Sequence, residues 1–131
     1  MSRESVEIVR KAFEAHKAGG VEALLPFYAA DVACYPTQFL KGSVYRGHDG
    51  AIRLESAFAD YFDDFAFDVD EIRDMGERVL ARATMTGRIK DSGAPIRQSI
   101  GVLVSDFRDG LIGEIRFFNW QEALEAVGLA E

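Results

Sequence analysis

The chain has a single cysteine, Cys34, among its 131 residues. One cysteine excludes an intrachain disulfide, and we interpret Cys34 as a buried structural thiol rather than a nucleophile. The two histidines, His16 and His48, lie far apart and form no cluster with acidic residues or with the cysteine. No metal site is therefore expected, and chemistry without a cofactor is the default expectation.

Long apolar runs and excess positive charge are also missing. No apolar run approaches the roughly 20 residues that span a bilayer, and the first residues lack the basic-then-apolar order of a signal peptide. Fifteen basic against 22 acidic side chains give a formal net charge of -7, which repels phosphate backbones and anionic lipid surfaces. We therefore expect a cytoplasmic protein that binds neither nucleic acid nor membranes.

What is present is an ordinary globular composition, with 48% apolar and 28% charged residues. A chain of this length buries roughly two-thirds of the surface that its unfolded form exposes. No linker, internal repeat or low-complexity segment divides it. We therefore predict one domain over residues 1–131.

Apolar side chains at helical spacing predict a first helix over residues 2–18 and a short second helix over residues 21–25, separated by Gly19 and Gly20. His16 lies in the last turn of the first helix, where a cation is favoured, and is interpreted as structural. A third helix is predicted to begin at residues 47–49. Its apolar face consists of Ala51, Leu54, Phe58, Tyr61, Phe62 and Phe65.

Strands are predicted both before and after the third helix. Residues 31–36 form a short strand that leads into an irregular segment over residues 38–45. After Phe65 the apolar period changes to two, and turn sequences separate four strands, at 66–73, 78–90, 96–107 and 111–120. Residues 121–127 form a last amphipathic turn with Gly128 as its C-cap.

This order of elements predicts an α+β fold. Four strands with hairpin-length connections form an antiparallel meander, and the helices cover one face of it. The curved antiparallel sheet wraps around the N-terminal helices as a cone with an internal pocket. The other face of the sheet is left uncovered, so we expect a homodimer through that face.

Four segments stand in a characteristic order: 27–32 (FYAADV), 45–50 (YRGHDG), 108–112 (RDGLI) and 123–129 (ALEAVGL). With this spacing they resemble the SnoaL-like branch of the nuclear-transport-factor-like, ketosteroid-isomerase-like superfamily with its cystatin-like cone. The resemblance covers almost the whole chain. It implies a fold with an internal pocket, which is the active site in polyketide cyclases, ketosteroid isomerases and epoxide hydrolases.

The resemblance also implies catalytic positions, and the expected groups are missing there. Ketosteroid isomerases use a carboxylate before a proline, a tyrosine in the first helix and a carboxylic acid in the sheet. The pre-proline position holds Tyr35, and the other two positions fall near Ala12 and near Ile100. Proton abstraction needs both a base and a donor aimed at the developing oxyanion, so steroid isomerisation by that mechanism is not expected.

Cyclases and epoxide hydrolases of this group commonly carry a carboxylate near the last strand, where this chain has Arg116. Strand alternation places Arg116, Phe118 and Trp120 on one face of that strand. If the helices cover this face, Arg116 is a buried cation that needs an anionic ligand or a carboxylate partner. Asp106 is either that partner, a base, or an exposed turn residue.

Two further groups are candidates at the pocket mouth. His48 suits acid/base chemistry, or it packs at the start of the third helix. Tyr35 and Tyr45 flank the irregular segment and offer hydroxyls on apolar rings. The candidate catalytic residues are Tyr35, His48, Asp106 and Arg116. The candidate ligand-binding residues are Tyr35, Tyr45, Phe58, Phe62, Phe65, Arg116, Phe118 and Trp120.

Three classes of function remain open. The first is a SnoaL-like pocket protein that acts as a cofactor-free cyclase, isomerase or hydrolase on an apolar oxygenated substrate. The second is a non-catalytic module that binds a small apolar or anionic organic ligand. The third is a dimeric interaction module. An acid/base pair in the pocket would favour the enzyme.

Overall fold

A computed structural model describes residues 2–36 and 43–128. In those residues three α-helices and six strands form an α+β cone-type fold. A 3-10 turn, Leu25–Phe27, follows the first helix. The helices are α1 (Ser2–Leu24), α2 (Gly47–Tyr61) and α3 (Trp120–Ala126). The strands are β1 (Tyr28–Tyr35), β2 (Tyr45–Arg46), β3 (Phe62–Asp74), β4 (Val79–Ile89), β5 (Pro95–Ser105) and β6 (Ile112–Asn119).

The six strands form one sheet in the order β2-β1-β6-β5-β4-β3. The predicted antiparallel meander is confirmed as β3 to β6. The sheet is mixed rather than wholly antiparallel, because β1 runs parallel to β6, with Cys34 opposite Ile115. Parallel neighbours need a long crossover, and here α2 and the other three strands of the meander supply it.

The predicted break at the paired glycines is confirmed. Gly20 has φ 75° and ψ -164°, so two helical stretches meet at a kink inside α1. A positive φ of this kind is accessible to glycine at little steric cost. The kink lets the second stretch fold towards α2, so that Val21 and Leu24 reach the interior. Of the predicted irregular segment, 38–45, residues 38–42 lie outside the described residues.

The third predicted helix ends earlier than its apolar spacing suggested. The prediction that Phe62 and Phe65 lie on that helix is wrong, because both belong to β3. Asp64 has φ 54°, and the register with β4 shifts between Asp63 and Ala66. This β-bulge adds a residue, so two phenylalanines three positions apart face the same side of the sheet.

The core lies between the inner face of the sheet and helices α1 and α2. Its largest members are fully enclosed side chains such as Met85, Ile100 and Val9. Contrary to the prediction that helices cover one face only, α3 packs on the outer face against Leu80 and Leu103. A Cβ at Gly101 would lie 2.2 Å from the Cβ of Ala123, so a side chain at that position would prevent this close approach.

The short helix α3 begins with a capping box. The Asn119 side chain accepts a hydrogen bond from the Glu122 backbone N–H, and the Glu122 carboxylate accepts one from the Asn119 backbone N–H. These bonds provide acceptors for backbone N–H groups at the helix start that have no partner within the helix. They also help the chain to turn back over the sheet directly after β6. No helix of the described residues is both long and apolar enough to cross a bilayer.

Candidate functional site

A cavity of about 960 Å³ lies between helices α1 and α2 and the inner face of the sheet. Both stretches of α1 contribute to it, on either side of the Gly20 kink, and strands β1, β3, β4, β5 and β6 form the opposite wall. Its volume falls in the range of pockets that enclose a drug-sized molecule. The walls divide into an aromatic part and a polar part.

The aromatic part is built from phenylalanine rings in mutual contact. Phe58 of α2 is buried and stacks on Phe65 with ring centroids 4.9 Å apart. Phe67 meets both of these rings edge to face, at 6.1 Å from Phe58 and 4.8 Å from Phe65. Phe117 of β6 and Phe62 complete the wall. Phe58, Phe62 and Phe65 thus line the cavity as their apolar character predicted, although Phe62 and Phe65 reach it from a strand.

The polar part centres on an imidazole–carboxylate pair. Nε2 of His16 lies 2.5 Å from Oε1 of Glu55, joining α1 to α2. Oε2 of Glu55 accepts a second hydrogen bond from the Val21 backbone N–H at 3.3 Å. The side chains are 32% and 42% exposed, so the pair is open to the cavity and to solvent.

The charge state of Glu55 determines where the proton of this pair lies. The hydrogen bond from His16 holds the pKa of Glu55 below its ordinary value, against the opposing effect of partial burial. An ionised carboxylate only accepts hydrogen bonds, so Nε2 of His16 carries the hydrogen between them. When the ring is neutral, Nδ1 therefore has a free lone pair and can accept a proton.

Two weaker acids line the same cavity. Burial raises the pKa of Tyr28 well above its usual range, and the nearby Cys34 and Glu55 raise it further. Burial also raises the pKa of the Cys34 thiol to about 12. Both groups are therefore neutral near neutral pH. The interpretation of Cys34 as a buried, unreactive thiol agrees with this environment.

The prediction that Arg116 reaches the pocket is wrong. Its strand neighbours Ile115 and Phe117 line the cavity, so alternation turns Arg116 to the outer face. There Nε of Arg116 donates to Oε2 of Glu114 at 2.8 Å, and the guanidinium lies 4.0 Å from the centroid of the Tyr35 ring. A paired, partly exposed arginine does not require an anionic ligand.

Three more predicted ligand-binding residues share that outer face. Tyr35 lies opposite Arg116 in the register of β1 and β6. Phe118 and Trp120 pack in the small outer cluster beneath α3. The physical reason for these errors is strand alternation: an error of one residue in assigning which positions face inward moves a whole set of side chains to the other side of the sheet. Tyr45 packs against the core opposite Cys34, yet it is not among the residues that line the cavity.

The remaining two candidates have structural surroundings. Nε2 of His48 lies 3.1 Å from the backbone oxygen of Tyr28 and links the start of α2 to β1. Asp106 is an exposed turn residue with φ 56°, and its carboxylate lies 3.3 Å from Nε of Arg108. Neither side chain lines the cavity. The described residues contain no group of three or more metal-ligating side chains that could hold an ion.

The residues that sequence reasoning missed are His16, Glu55 and Tyr28. A signal for the first two was present, because each is a polar residue within the apolar stripe of its helix. His16 continues the stripe of Val9 and Phe13, and Glu55 lies beside Leu54 and one turn before Phe58. A charged or titratable group on a core-facing stripe needs a partner, and here the two groups are partners to each other.

Comparison with known proteins identifies related chains. The model of the SnoaL-like domain matches residues 9–115. No match was found among the curated proteins. Among solved structures, an NTF2-like protein from Burkholderia thailandensis E264 has a TM-score of 0.80 at 17% identity, and the alignment covers 94% of this chain and 95% of that one.

Of two other solved structures, one is described by an activity and the other by a bound compound. A protein described as a SnoaL-like polyketide cyclase, from Jannaschia sp. CCS1, has a TM-score of 0.75 at 18% identity, with 98% of this chain and 94% of that chain covered. TerC, co-crystallised with polyporic acid, has a TM-score of 0.75 at 15% identity, with 95% and 97% covered. At these identities the likeness shows a shared fold.

Proposed function

Because this chain belongs to the SnoaL-like family, we propose that it binds a small, apolar, oxygenated molecule in its cavity and moves a proton on that molecule without a cofactor. The observation that carries the proposal is the contact between His16 and Glu55 at the wall of an aromatic cavity. An imidazole whose hydrogen is held by a carboxylate is a common general base in enzymes.

The proposed step is removal of a proton from carbon next to a carbonyl group. The C–H bond breaks, its proton passes to Nδ1 of neutral His16, and the electron pair moves onto the carbonyl oxygen to form an enolate. Glu55 orients the ring and stabilises the imidazolium that results. Ring closure through a carbon nucleophile and double-bond migration both begin with this step, and activation of water would serve a hydrolase.

The solved relatives support an oxygenated organic ligand. One is described as a SnoaL-like polyketide cyclase, and TerC was co-crystallised with polyporic acid. Phe58, Phe65 and Phe117 offer ring faces and edges against which a planar molecule would stack.

The charge of the cavity wall favours a neutral or cationic ligand over an anionic one. Six acidic side chains line it, against three basic ones. The basic ones also have acidic neighbours, with Lys17 3.6 Å from Asp68 and Lys90 3.8 Å from Asp63. The expectation of an anionic ligand depended on Arg116, and it loses that support on the outer face of the sheet.

Binding in the cavity is tested with two neighbouring phenylalanines on opposite faces of β6. We expect Phe117→Leu to weaken binding of 2-acetylnaphthalene about two- to tenfold, because ring–ring contacts are lost. Phe118→Leu is the matched control and should bind like the wild type, since Phe118 packs under α3. NMR titration measures both affinities. Equal weakening by the two variants would contradict the proposed site.

A second proposal concerns assembly. We propose that two copies pair through the part of the outer sheet face that α3 leaves uncovered. This is supported by the partial cover that α3 gives to the face, because it packs on Leu80 and Leu103 while Tyr35 and Arg116 stay partly exposed. The Arg116 guanidinium lies 4.0 Å from the centroid of the Tyr35 ring. Tyrosine and arginine are enriched in protein–protein interfaces, so this pair is a suitable contact for a second copy.

Sedimentation velocity at micromolar concentration measures this assembly. The wild type should sediment as a dimer, and Arg116→Glu should shift it to the monomer, because it removes the guanidinium over Tyr35 and leaves two acidic side chains, with Glu114, on the pairing face. Asp91→Lys, an exposed change in the turn after β4, is the control and should remain dimeric. A wild type that is monomeric throughout this range would contradict the proposal.

A further inference from the structure

The geometry points to Tyr28 as the residue that recognises the ligand's oxygen: its hydroxyl donates a hydrogen bond to a carbonyl-type acceptor inside the cavity. This inference rests on the proposed function and adds to it the chemical group that the ligand must carry. It also assigns a role to a strand residue that none of the sequence candidates included.

The backbone of Tyr28 is held in place from two sides. Tyr28 is the first residue of β1 and pairs with Ile112 of β6. Its carbonyl oxygen lies 3.1 Å from Nε2 of His48, which ties it to the first turn of α2. The ring packs against the apolar core, and the side chain lines the cavity. A group fixed in this way loses little conformational freedom when it binds a ligand.

The hydroxyl has unused hydrogen-bonding capacity. It makes no hydrogen bond to any residue in the ranges 2–36 and 43–128. Within those ranges, Nε of Arg82 is the one fully enclosed side-chain nitrogen or oxygen that lacks a partner. The Tyr28 oxygen is therefore not sealed in the core, and the residue to which it belongs lines the cavity.

The surroundings make this hydroxyl a donor. The Cys34 thiol and the Glu55 carboxylate lie near enough to influence its ionisation, and together with burial they keep the phenol protonated. A neutral phenol can donate to an acceptor oxygen, and it stabilises that oxygen more strongly when negative charge develops there.

The arrangement divides two tasks between two parts of one site. Tyr28 would hold the carbonyl oxygen, while the His16–Glu55 pair would face the carbon beside it. A ligand without an acceptor oxygen would make no hydrogen bond to this hydroxyl and would bind without its contribution.

Two ligands of nearly equal shape test the inference. 2-Acetylnaphthalene has a carbonyl group where 2-ethylnaphthalene has a methylene group. Tyr28→Phe removes only the hydroxyl, so we expect it to weaken binding of the ketone about three- to tenfold and to leave binding of the hydrocarbon unchanged. NMR titration of both proteins with both ligands measures the four affinities that this comparison needs.

Infrared spectroscopy supplies a readout that a structural role of Tyr28 would not move. The carbonyl stretch of 2-acetylnaphthalene bound to the wild type should lie at a lower wavenumber than that of the ketone in an apolar solvent. In Tyr28→Phe it should return to the apolar-solvent value. If that variant does not fold, the wild-type spectrum alone decides, because an unshifted carbonyl stretch overturns the inference.

The outcomes separate this inference from the function on which it rests. Equal affinity changes for ketone and hydrocarbon, or no change for either, would overturn the role of Tyr28 and leave the cavity as the binding site. Failure of the wild type to bind either compound would overturn the proposed function and the role of Tyr28 together.

Discussion

Replacing His16 by glutamine should slow the exchange of the methyl protons of 2-acetylnaphthalene for deuterium by about a hundred- to ten-thousandfold. Glutamine can still donate to Glu55 and fill the same space, but it has no lone pair of comparable basicity. The substitution would therefore remove the base that takes the proton and leave the fold intact. Proton NMR in deuterated buffer, with the ketone in excess, measures the rate for each protein.

His48→Gln is the matched control for this experiment. It removes the other imidazole, which does not line the cavity, and the glutamine amide can still donate to the Tyr28 carbonyl oxygen, so the exchange rate should stay at the wild-type value. Glu55→Gln should lower the rate less than His16→Gln. The imidazole remains, but the N–H of its Nε2 no longer has a carboxylate as its hydrogen-bond acceptor. Exchange by His16→Gln at the wild-type rate would show that the pair is not the base.

Replacing Phe58 by alanine should lower the free energy of unfolding by about 3–5 kcal/mol. Phe58 is 4% exposed and contacts Phe65, Phe67 and Phe117, so truncation removes several ring contacts at once. The adjoining cavity would grow, and few atoms stand close enough to fill the space. Urea unfolding followed by far-UV circular dichroism measures the change.

Tyr61→Ala provides the control on the same helix. Tyr61 is 59% exposed, and a substitution there should change the free energy of unfolding by about 0.5 kcal/mol or less. Phe58→Ala unfolding at nearly the same urea concentration as the wild type would mean that the aromatic wall contributes little to the core. The wall would then be a binding surface without a structural role.

The secondary structure was largely predictable because local chemistry decides it. Glycine at the α1 kink, the turn glycines and the change of apolar period after Phe65 are signals carried by neighbouring residues. The helix-to-strand boundary was misplaced because Phe62 and Phe65 fit a helical stripe as well as a strand face. The bulge at Asp64 decided between them, and a bulge has no strong local signature.

The site was much less predictable, and Arg116 shows why. Alternation along β6 correctly separated Arg116, Phe118 and Trp120 from Ile115 and Phe117, and the sequence also determined that one of these sets must face the helices. It did not determine which set. That depended on how β6 packs between β1 and β5: α1 and α2 cover the set that contains Phe117, and α3 packs over Phe118 on the other face.

By itself, the sequence determined an α+β chain with an aromatic core, an antiparallel meander, no disulfide and an acidic net charge, since composition and short-range periodicity encode these properties. Only the tertiary structure decided which polar groups meet. His16 and Glu55 are 39 positions apart and come together because the kink at Gly20 and the packing of α1 on α2 bring them to one wall. Contacts between distant residues depend on how whole elements pack, which local patterns do not specify.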